Sequence, residues 1–327
     1  MKPSVLVTRT LPQKGMDMLR DMYALTVNPH DRVMTREEIA EEIRDKDGLL
    51  CLLTDAIDGG IMDRSPRLRI ISNYAVGYNN IDVNAATERG IIVTNTPGVL
   101  TETSADFAFA LLMAIARRLP ESERLARAGK FKGWGPMFML GEDIHGKTLG
   151  IVGMGRIGKV VARRASGFDM RVIYHNAHRL SSKEEASLRA EFVQFEDLLS
   201  GSDFISIHVP LSEQTRHLFG EKELRAMKSD SYLINTSRGP VVDEKALVKA
   251  LEDGVIRGAA LDVYENEPEI EPGLLRLENV IVAPHVASAT VETRTKMAVM
   301  AAENLIAAME GRVPQYIVNN EVLSRKA

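Results

Sequence analysis

The feature that most constrains this chain is a repeated alternation of short, apolar, β-rich runs with amphipathic stretches. SVLVT, GLLCLLT, RIISNYA and GIIVTNT read as buried strands. Between them, TREEIAEEIRDK and VNAATERG read as helices. The first of these opens with a capping box, Thr35 followed by Glu38, in which each side chain satisfies the other residue's free backbone N–H. Alternation of this kind predicts parallel sheets, because parallel neighbours must be joined by a crossover element.

The pattern breaks at TETSADFAFALLMAIARRL, residues 101–119, which is apolar nearly all round. A stretch like this is buried on several sides, as a helix packed between two domains would be. GWGPMFMLGEDIHGK follows as a Gly-rich, irregular loop. A second alternating series then runs from KTLGIVGMGRIG through RVIYH, FVQF, SDFISIHVPL, SYLINTSRG and GAALDVYE to NVIVAPH. The chain of 327 residues is long enough for two α/β units, each with its own sheet. The last apolar helix, ATVETRTKMAVMAAENLIAAMEG, has no strand after it and can return to the first unit. The expected division is therefore 1–98 with 289–327 as one discontinuous domain, and 99–288 as the other.

Composition narrows the partners. A net charge of -4, spread along the chain, marks neither a nucleic-acid surface nor a membrane surface. No window approaches the run of about 18 apolar residues that a membrane span needs. The opening MKPSVLVTRT lacks the apolar core and cleavage site of a signal peptide, so a cytoplasmic protein is expected. The single cysteine, Cys51, excludes an intramolecular disulfide and reads as a buried structural thiol.

In LGIVGMGRIG, Gly153, Gly155 and Gly158 satisfy G-x-G-x-x-G between a strand and a helix. The three glycines allow a tight turn, close approach of a pyrophosphate, and close packing of helix on strand. The phosphates would sit at the helix N-terminus, where Arg156 and Ile157 begin the first turn. A dinucleotide site usually carries an acid about 20 residues on, at the end of the second strand. Here that strand ends VIYHNAHRL, and the position falls on Asn176, since Asp169 precedes the strand. Asn176 can bind a ribose hydroxyl without repelling a 2′-phosphate, and His178 and Arg179 can attract one.

Three further stretches end apolar strands of the second series, where open α/β sheets bind ligands. They carry Arg238, the acidic cluster Asp262, Glu265 and Glu267, and His285. Reduction of a 2-oxo acid calls for a planar cation on the carboxylate, an imidazole that donates a proton near neutral pH, and a carboxylate that orients the imidazole. Arg238, His285 and one of the glutamates suit those roles. Strand parity does not separate Glu265 from Glu267.

These stretches resemble the D-isomer-specific 2-hydroxyacid dehydrogenase family. GIVGMGRIGKVVA, LINTSRGPVVDEKAL, LDVYENEP and APHVASAT are each similar to one of its signatures, as is SNYAVGYNNIDVNAATERGIIVTNTPGVLTETSADFAFAL. The likeness covers nearly the whole chain and is greatest to members that reduce glyoxylate and hydroxypyruvate. It implies an α/β fold of two doubly wound parallel-sheet, Rossmann-like domains with a cleft between them, hinges near Pro97 to Thr101 and after His285, and a homodimer. It places the catalytic roles on Arg238, Glu267 and His285. It places substrate contacts on Ala75, Val76, Gly77 and Arg238, and cofactor contacts on Thr103, His208, Val209, Pro210, Thr236 and Asp262. Trp134 matches a loop residue that reaches a neighbouring subunit's active site in related reductases, or else packs within its own loop.

One position departs from the pattern. Where NADPH-using members commonly carry Arg, this chain has Ala177, and only Arg179 remains, with His178 beside it. NADPH or NADH is expected, with a lean to NADPH and dual use open. Alternatives with the same chemistry are phosphoglycerate, D-lactate and phosphite oxidation. A non-enzymatic alternative is a nucleotide-sensing corepressor, which would carry long tails that this chain lacks. No metal is expected.

Overall fold

The computed structural model describes residues 2–324. Met1 and residues 325–327, the ends of the first expected domain, lie outside the described residues. The chain divides into two compact units. One comprises the residues up to Leu100 and those from Ala289 onward; the other spans Thr101–Ser288.

The first unit is built on β1 (Ser4–Val7), β2 (Ala24–Val27), β3 (Gly48–Cys51), β4 (Ile70–Asn73) and β5 (Ile92–Thr94). All pairings are parallel, in the order β2-β1-β3-β4-β5. Alternation along β1 sends Val5 and Val7 to one face and Leu6 to the other. Helices cover both faces, which is why β3 and β4 are buried along their whole length; β3 reads as an unbroken apolar run, while β4 (IISN) ends in the buried polar pair Ser72 and Asn73. Helix Arg36–Glu42 carries the capping box, with Glu38 N–H donating to Thr35 Oγ1 and Thr35 N–H donating to Glu38 Oε2.

Helix Val291–Met309 belongs to this unit. Met297, Ala301, Ala302 and Leu305 enter the same cluster as Val5, Met16 and Ile70. Burial of each large side chain contributes roughly 1.5–3 kcal/mol. Gly15, on helix Gln13–Arg20, permits a very close crossing, because a Cβ there would lie 2.7 Å from the Ala298 side chain. The helix is also tied to the strand ends. Ser72 Oγ donates to Ala301 O (2.8 Å), Tyr74 Oη to Arg294 O (2.8 Å), and Asn304 Nδ2 to Asn95 O (3.1 Å).

The second unit contains β6 (Thr148–Val152), β7 (Arg171–His175), β8 (Ala190–Phe192), β9 (Phe204–Ile207), β10 (Tyr232–Asn235), β11 (Gly258–Leu261) and β12 (Val280–Val282). They pair in parallel in the order β12-β11-β10-β9-β6-β7-β8, so the order reverses between β6 and β9. Helices Thr101–Ala116 and Arg156–Ser166 cover one face through Phe109, Leu112 and Val161. Helix Glu244–Glu252 covers the other through Leu247 and Leu251. The apolar stretch 101–119 is not one helix to its end. It stops at Ala116, Arg118 takes a left-handed conformation (φ 48°), and a new helix, Leu119–Arg127, begins with Pro120 in its first turn.

Candidate active site

Open α/β sheets bind ligands where the strand order reverses, at the carboxyl ends of the strands. In the second unit that point lies between β6 and β9, and the glycine turn occupies it. Gly153 N–H donates to His175 O (3.0 Å), and His208 N–H donates to Val152 O (2.7 Å). Gly153 has φ 98°, and a Cβ there would lie 2.7 Å from the His208 carbonyl carbon; one on Gly158 would lie 2.4 Å from Gly153 O. Both glycines are therefore required for the turn to close. A Cβ on Gly155, by contrast, would meet nothing within 4 Å, which leaves open space at the start of helix Arg156–Ser166. Arg156 is exposed there and Ile157 half-buried.

The polar groups around this turn fit a dinucleotide. Thr236, at the end of β10, has a buried hydroxyl that finds no hydrogen-bond partner among the described residues, the state expected of a group awaiting a ligand. His208 keeps some exposed surface, but desolvation of its ring pushes the imidazole down to about 4, so it is neutral at ordinary pH. Its Nε2 lies 2.8 Å from Ser206 Oγ, and Val209 and Pro210 continue the turn. Thr103 lies in the first turn of helix Thr101–Ala116.

After β7, Asn176 Nδ2 donates to His178 O (2.9 Å), so Oδ1 is the side-chain atom that remains to accept. Ala177, His178 and Arg179 are exposed. Arg179, however, is engaged. Its Nε and Nη2 both donate to Glu185 at 2.9 Å, and its guanidinium lies over the Phe192 ring at 5.6 Å. Glu185 also accepts from Tyr174 Oη at 2.7 Å. Those hydrogen bonds, Arg179 first, hold the Glu185 carboxyl below its ordinary value.

The proton-transfer candidates meet at the neighbouring strand ends. His285 Nδ1 lies 2.8 Å from Glu267 Oε2, and Glu267 Oε1 accepts from Tyr264 N–H at 3.1 Å. Burial pushes the Glu267 carboxyl up. The His285 hydrogen bond and charge, the Tyr264 N–H and the Arg238 charge outweigh it, and the net effect is a carboxyl held below its ordinary value. An ionised carboxylate only accepts, so Nδ1 carries the proton and Nε2 is the imidazole atom left for a substrate. His285 has φ 54°, a left-handed conformation that residues other than Gly rarely adopt. The turn around it is held from both sides. Tyr264 Oη donates to Ala283 O (2.8 Å), and the buried Asp262 carboxylate accepts from Val286 and Ala287 N–H, each at 2.8 Å.

Arg238 follows β10. Asn235 shapes its turn by accepting from Ser237 N–H and Oγ and donating to Arg238 O at 3.0 Å. Desolvation pulls the guanidinium below its ordinary value, the Glu267 charge opposes that pull, and the group stays charged. Glu265 goes elsewhere. It pairs with His217 Nε2 at 2.6 Å and accepts from Glu244 N–H, while its own N–H donates to the buried Glu244 carboxyl. The roles of Tyr264, Asn235 and this His217–Glu244 anchorage are not legible residue by residue. Their contribution lies in backbone hydrogen bonds to distant segments, which leave no local signal.

Among the described residues no group of side chains is arranged to hold a metal ion, and no helix is long and apolar enough to cross a membrane. Trp134 is 85% exposed and so is not a packing residue of its own loop. In the first unit, Ala75, Val76 and Gly77 form the loop after β4.

A glycine-turn nucleotide cradle at the strand-order reversal, with a carboxylate-held imidazole and a desolvated guanidinium at neighbouring strand ends, defines a nicotinamide-dependent dehydrogenase of the α/β class. Residues 109–287 match the model of the D-isomer specific 2-hydroxyacid dehydrogenase NAD binding domain. The chain belongs to that family. It is 55% identical over 326 residues to a glyoxylate reductase of Korarchaeum cryptofilum, covering 99% of this chain and 98% of the relative. It is 51% identical over 330 residues to that of Thermococcus gammatolerans, covering 100% and 98%. Among solved structures, an NADPH-dependent glyoxylate/hydroxypyruvate reductase of Sinorhizobium meliloti, in complex with NADP and malonate, superposes with a TM-score of 0.86 at 34% identity, covering 98% of each chain.

Proposed function

We propose that this protein reduces glyoxylate, and also hydroxypyruvate, to the corresponding 2-hydroxy acid. The observation that carries the reading is the 2.8 Å His285–Glu267 pair beside a desolvated Arg238, in a chain 55% identical to a glyoxylate reductase. When bound, NADPH or NADH supplies the hydride to the carbonyl carbon. His285 Nε2 donates the proton to the carbonyl oxygen. Glu267 fixes the tautomer and stabilises the imidazolium before transfer. Arg238 binds the carboxylate with a planar fork and withdraws charge from the adjacent carbonyl. The N–H groups of the Ala75-Val76-Gly77 loop are also carboxylate ligands in this reading.

The nucleotide is held by the Gly153–Gly158 turn and the N-terminus of helix Arg156–Ser166. Thr103, His208 to Pro210, Thr236 and Asp262 contribute further contacts. The reading leans to NADPH, because no acid at Asn176 repels a 2′-phosphate. A homodimer is part of the same proposal. Leu119, Phe131, Trp134, Met137 and Leu140 are more than half exposed, the kind of apolar patch that a partner covers. Trp134 is assigned to the substrate site of that partner.

The test is a panel of glyoxylate, hydroxypyruvate, pyruvate and 3-phosphohydroxypyruvate with each cofactor, together with His285→Ala. Glyoxylate should head the panel. The variant should lose roughly 10²–10⁴ in kcat, the usual range for a general acid, with cofactor binding preserved. Undiminished turnover in His285→Ala would overturn the assignment.

A further inference from the structure

The loop Ala75-Val76-Gly77 is held by its carbonyl oxygens, all three of them. Thr96 N–H donates to Ala75 O at 2.8 Å, Asn95 Nδ2 to Val76 O at 2.7 Å, and Asn73 Nδ2 to Gly77 O at 2.9 Å. The peptide bonds here are trans, since the one cis bond among the described residues is Glu267–Pro268. In a trans peptide the N–H points opposite to the C=O of the same plane. Pinning these three carbonyls therefore turns the N–H groups of Val76, Gly77 and Tyr78 away from the residues that hold them. None of these three N–H groups donates to a protein acceptor among the described residues. A run of backbone N–H groups presented in this way suits an anion.

Both asparagines are themselves fixed. Asn73 is the fully buried last residue of β4, and its Oδ1 lies 3.7 Å from Cys51 Sγ. Asn95 follows β5; its N–H donates to Tyr316 O (3.3 Å) and its carbonyl accepts from Asn304 Nδ2 (3.1 Å). An amide is the side chain the geometry calls for. It donates to a carbonyl while staying neutral, so it adds no charge beside an anion site.

We infer that Asn95 and Asn73 are positioning residues for carboxylate recognition, Asn95 aiming the N–H of Gly77 and Asn73 that of Tyr78. The inference rests on the proposal that this loop takes the substrate carboxylate. It adds Tyr78 N–H as a donor and names the side chains on which the loop's selectivity for an acid depends.

The test compares glyoxylate with glycolaldehyde, an aldehyde of the same length without the carboxylate, in the full-length protein and in Asn95→Ala, Asn95→Asp and Asn73→Ser. Asn95→Asp keeps the shape but removes the donor, which guards against a variant that fails to fold. Each variant should lower the glyoxylate-to-glycolaldehyde ratio of kcat/KM about tenfold, the weight of one charge-assisted hydrogen bond. The loss should appear in KM, with nucleotide affinity measured by fluorescence unchanged. Inhibition by oxalate, a carboxylate that cannot be reduced, should weaken by a similar factor. A merely structural role would lower both aldehydes together along with the melting temperature. Folded variants with an unchanged ratio and unchanged oxalate inhibition would overturn the inference. Failure of the wild-type protein to reduce glyoxylate would instead sink the functional proposal, and oxalate binding would still report on the loop.

Discussion

In the proposed reading that leans to NADPH, cofactor choice turns on Arg179, and the surroundings of that residue set how much it can contribute. Arg179 is the cation proposed to meet a 2′-phosphate, yet two 2.9 Å hydrogen bonds tie it to Glu185, with side chains 62% and 12% exposed respectively. A charged hydrogen bond to phosphate favours binding by a factor of roughly ten or more. Part of that must be spent loosening an exposed ion pair, itself worth a factor of about 1.5 to 5. With a tenfold gain, the net preference from Arg179 is then about two- to sevenfold. Arg179→Ala should lower the NADPH-to-NADH ratio of kcat/KM by that factor. Glu185→Gln should raise it by a similar one, because it frees the guanidinium and removes a negative charge while an amide oxygen still accepts from Tyr174. The double variant should behave like Arg179→Ala, since Glu185 acts through Arg179 and the two effects are not additive. The assay is initial-rate kinetics at 340 nm with both cofactors at fixed, low ionic strength. An unchanged ratio in Arg179→Ala would refute the lean to NADPH. A fall in Arg179→Ala with no rise in Glu185→Gln would refute the sequestration.

Two further outcomes follow from the first unit. Gly15→Ala gains helix propensity but places a Cβ 2.7 Å from the Ala298 side chain and 2.8 Å from its backbone, so the crossing helices must separate. The melting temperature should fall by roughly 3–6 °C, and a rise would show that the close crossing is not needed. Glu38 is held at about 2, chiefly by its hydrogen bonds from Arg32, below the unfolded value of about 4.3. A depressed carboxyl stabilises the fold fully above the unfolded value and loses that contribution as pH falls through the folded one. Between pH 5 and 2, Glu38→Gln should therefore flatten the acid loss of stability seen in urea melts, and parallel curves for the two proteins would contradict the pairing.

The strands are legible where parallel sheets bury both faces, because β1, β3, β9 and β10 are nearly unbroken apolar runs. β2 was not legible, since ALTV lies at a sheet edge and none of its residues is fully buried. Helix Leu119–Arg127 escaped for a similar reason. It buries no residue and so carries no core-facing stripe, and its start depends on a left-handed Arg118 that no local pattern announces. Neither element has a fully buried residue, and burial in the core is the one source of periodicity available in a single sequence.

The two glutamates of YENEP show where local reading of the site ends. Read as a strand, the segment places Glu265 and Glu267 on one face, and parity cannot choose between them. In the structure the strand has already ended at Leu261, and the segment is a turn whose two carboxylates diverge. Glu265 is drawn to His217 and to the first N–H of helix Glu244–Glu252, while Glu267 meets His285. Two imidazole–carboxylate pairs thus grow from three consecutive residues, and their surroundings differ. The Glu267 pair lies beside desolvated Arg238, and its left-handed His285 sits in a turn held by Asp262 and Tyr264, with Nε2 left for a substrate. The His217–Glu265 pair has its carboxylate tied into a reciprocal clamp with Glu244 and its Nε2 already engaged. An imidazole held through Nδ1 by a carboxylate that lies near a desolvated cation suits proton transfer to a bound oxo acid. One whose Nε2 already binds a helix-capping carboxylate suits anchorage. That distinction depends on which distant residue each glutamate meets, so it appears only once the chain is folded.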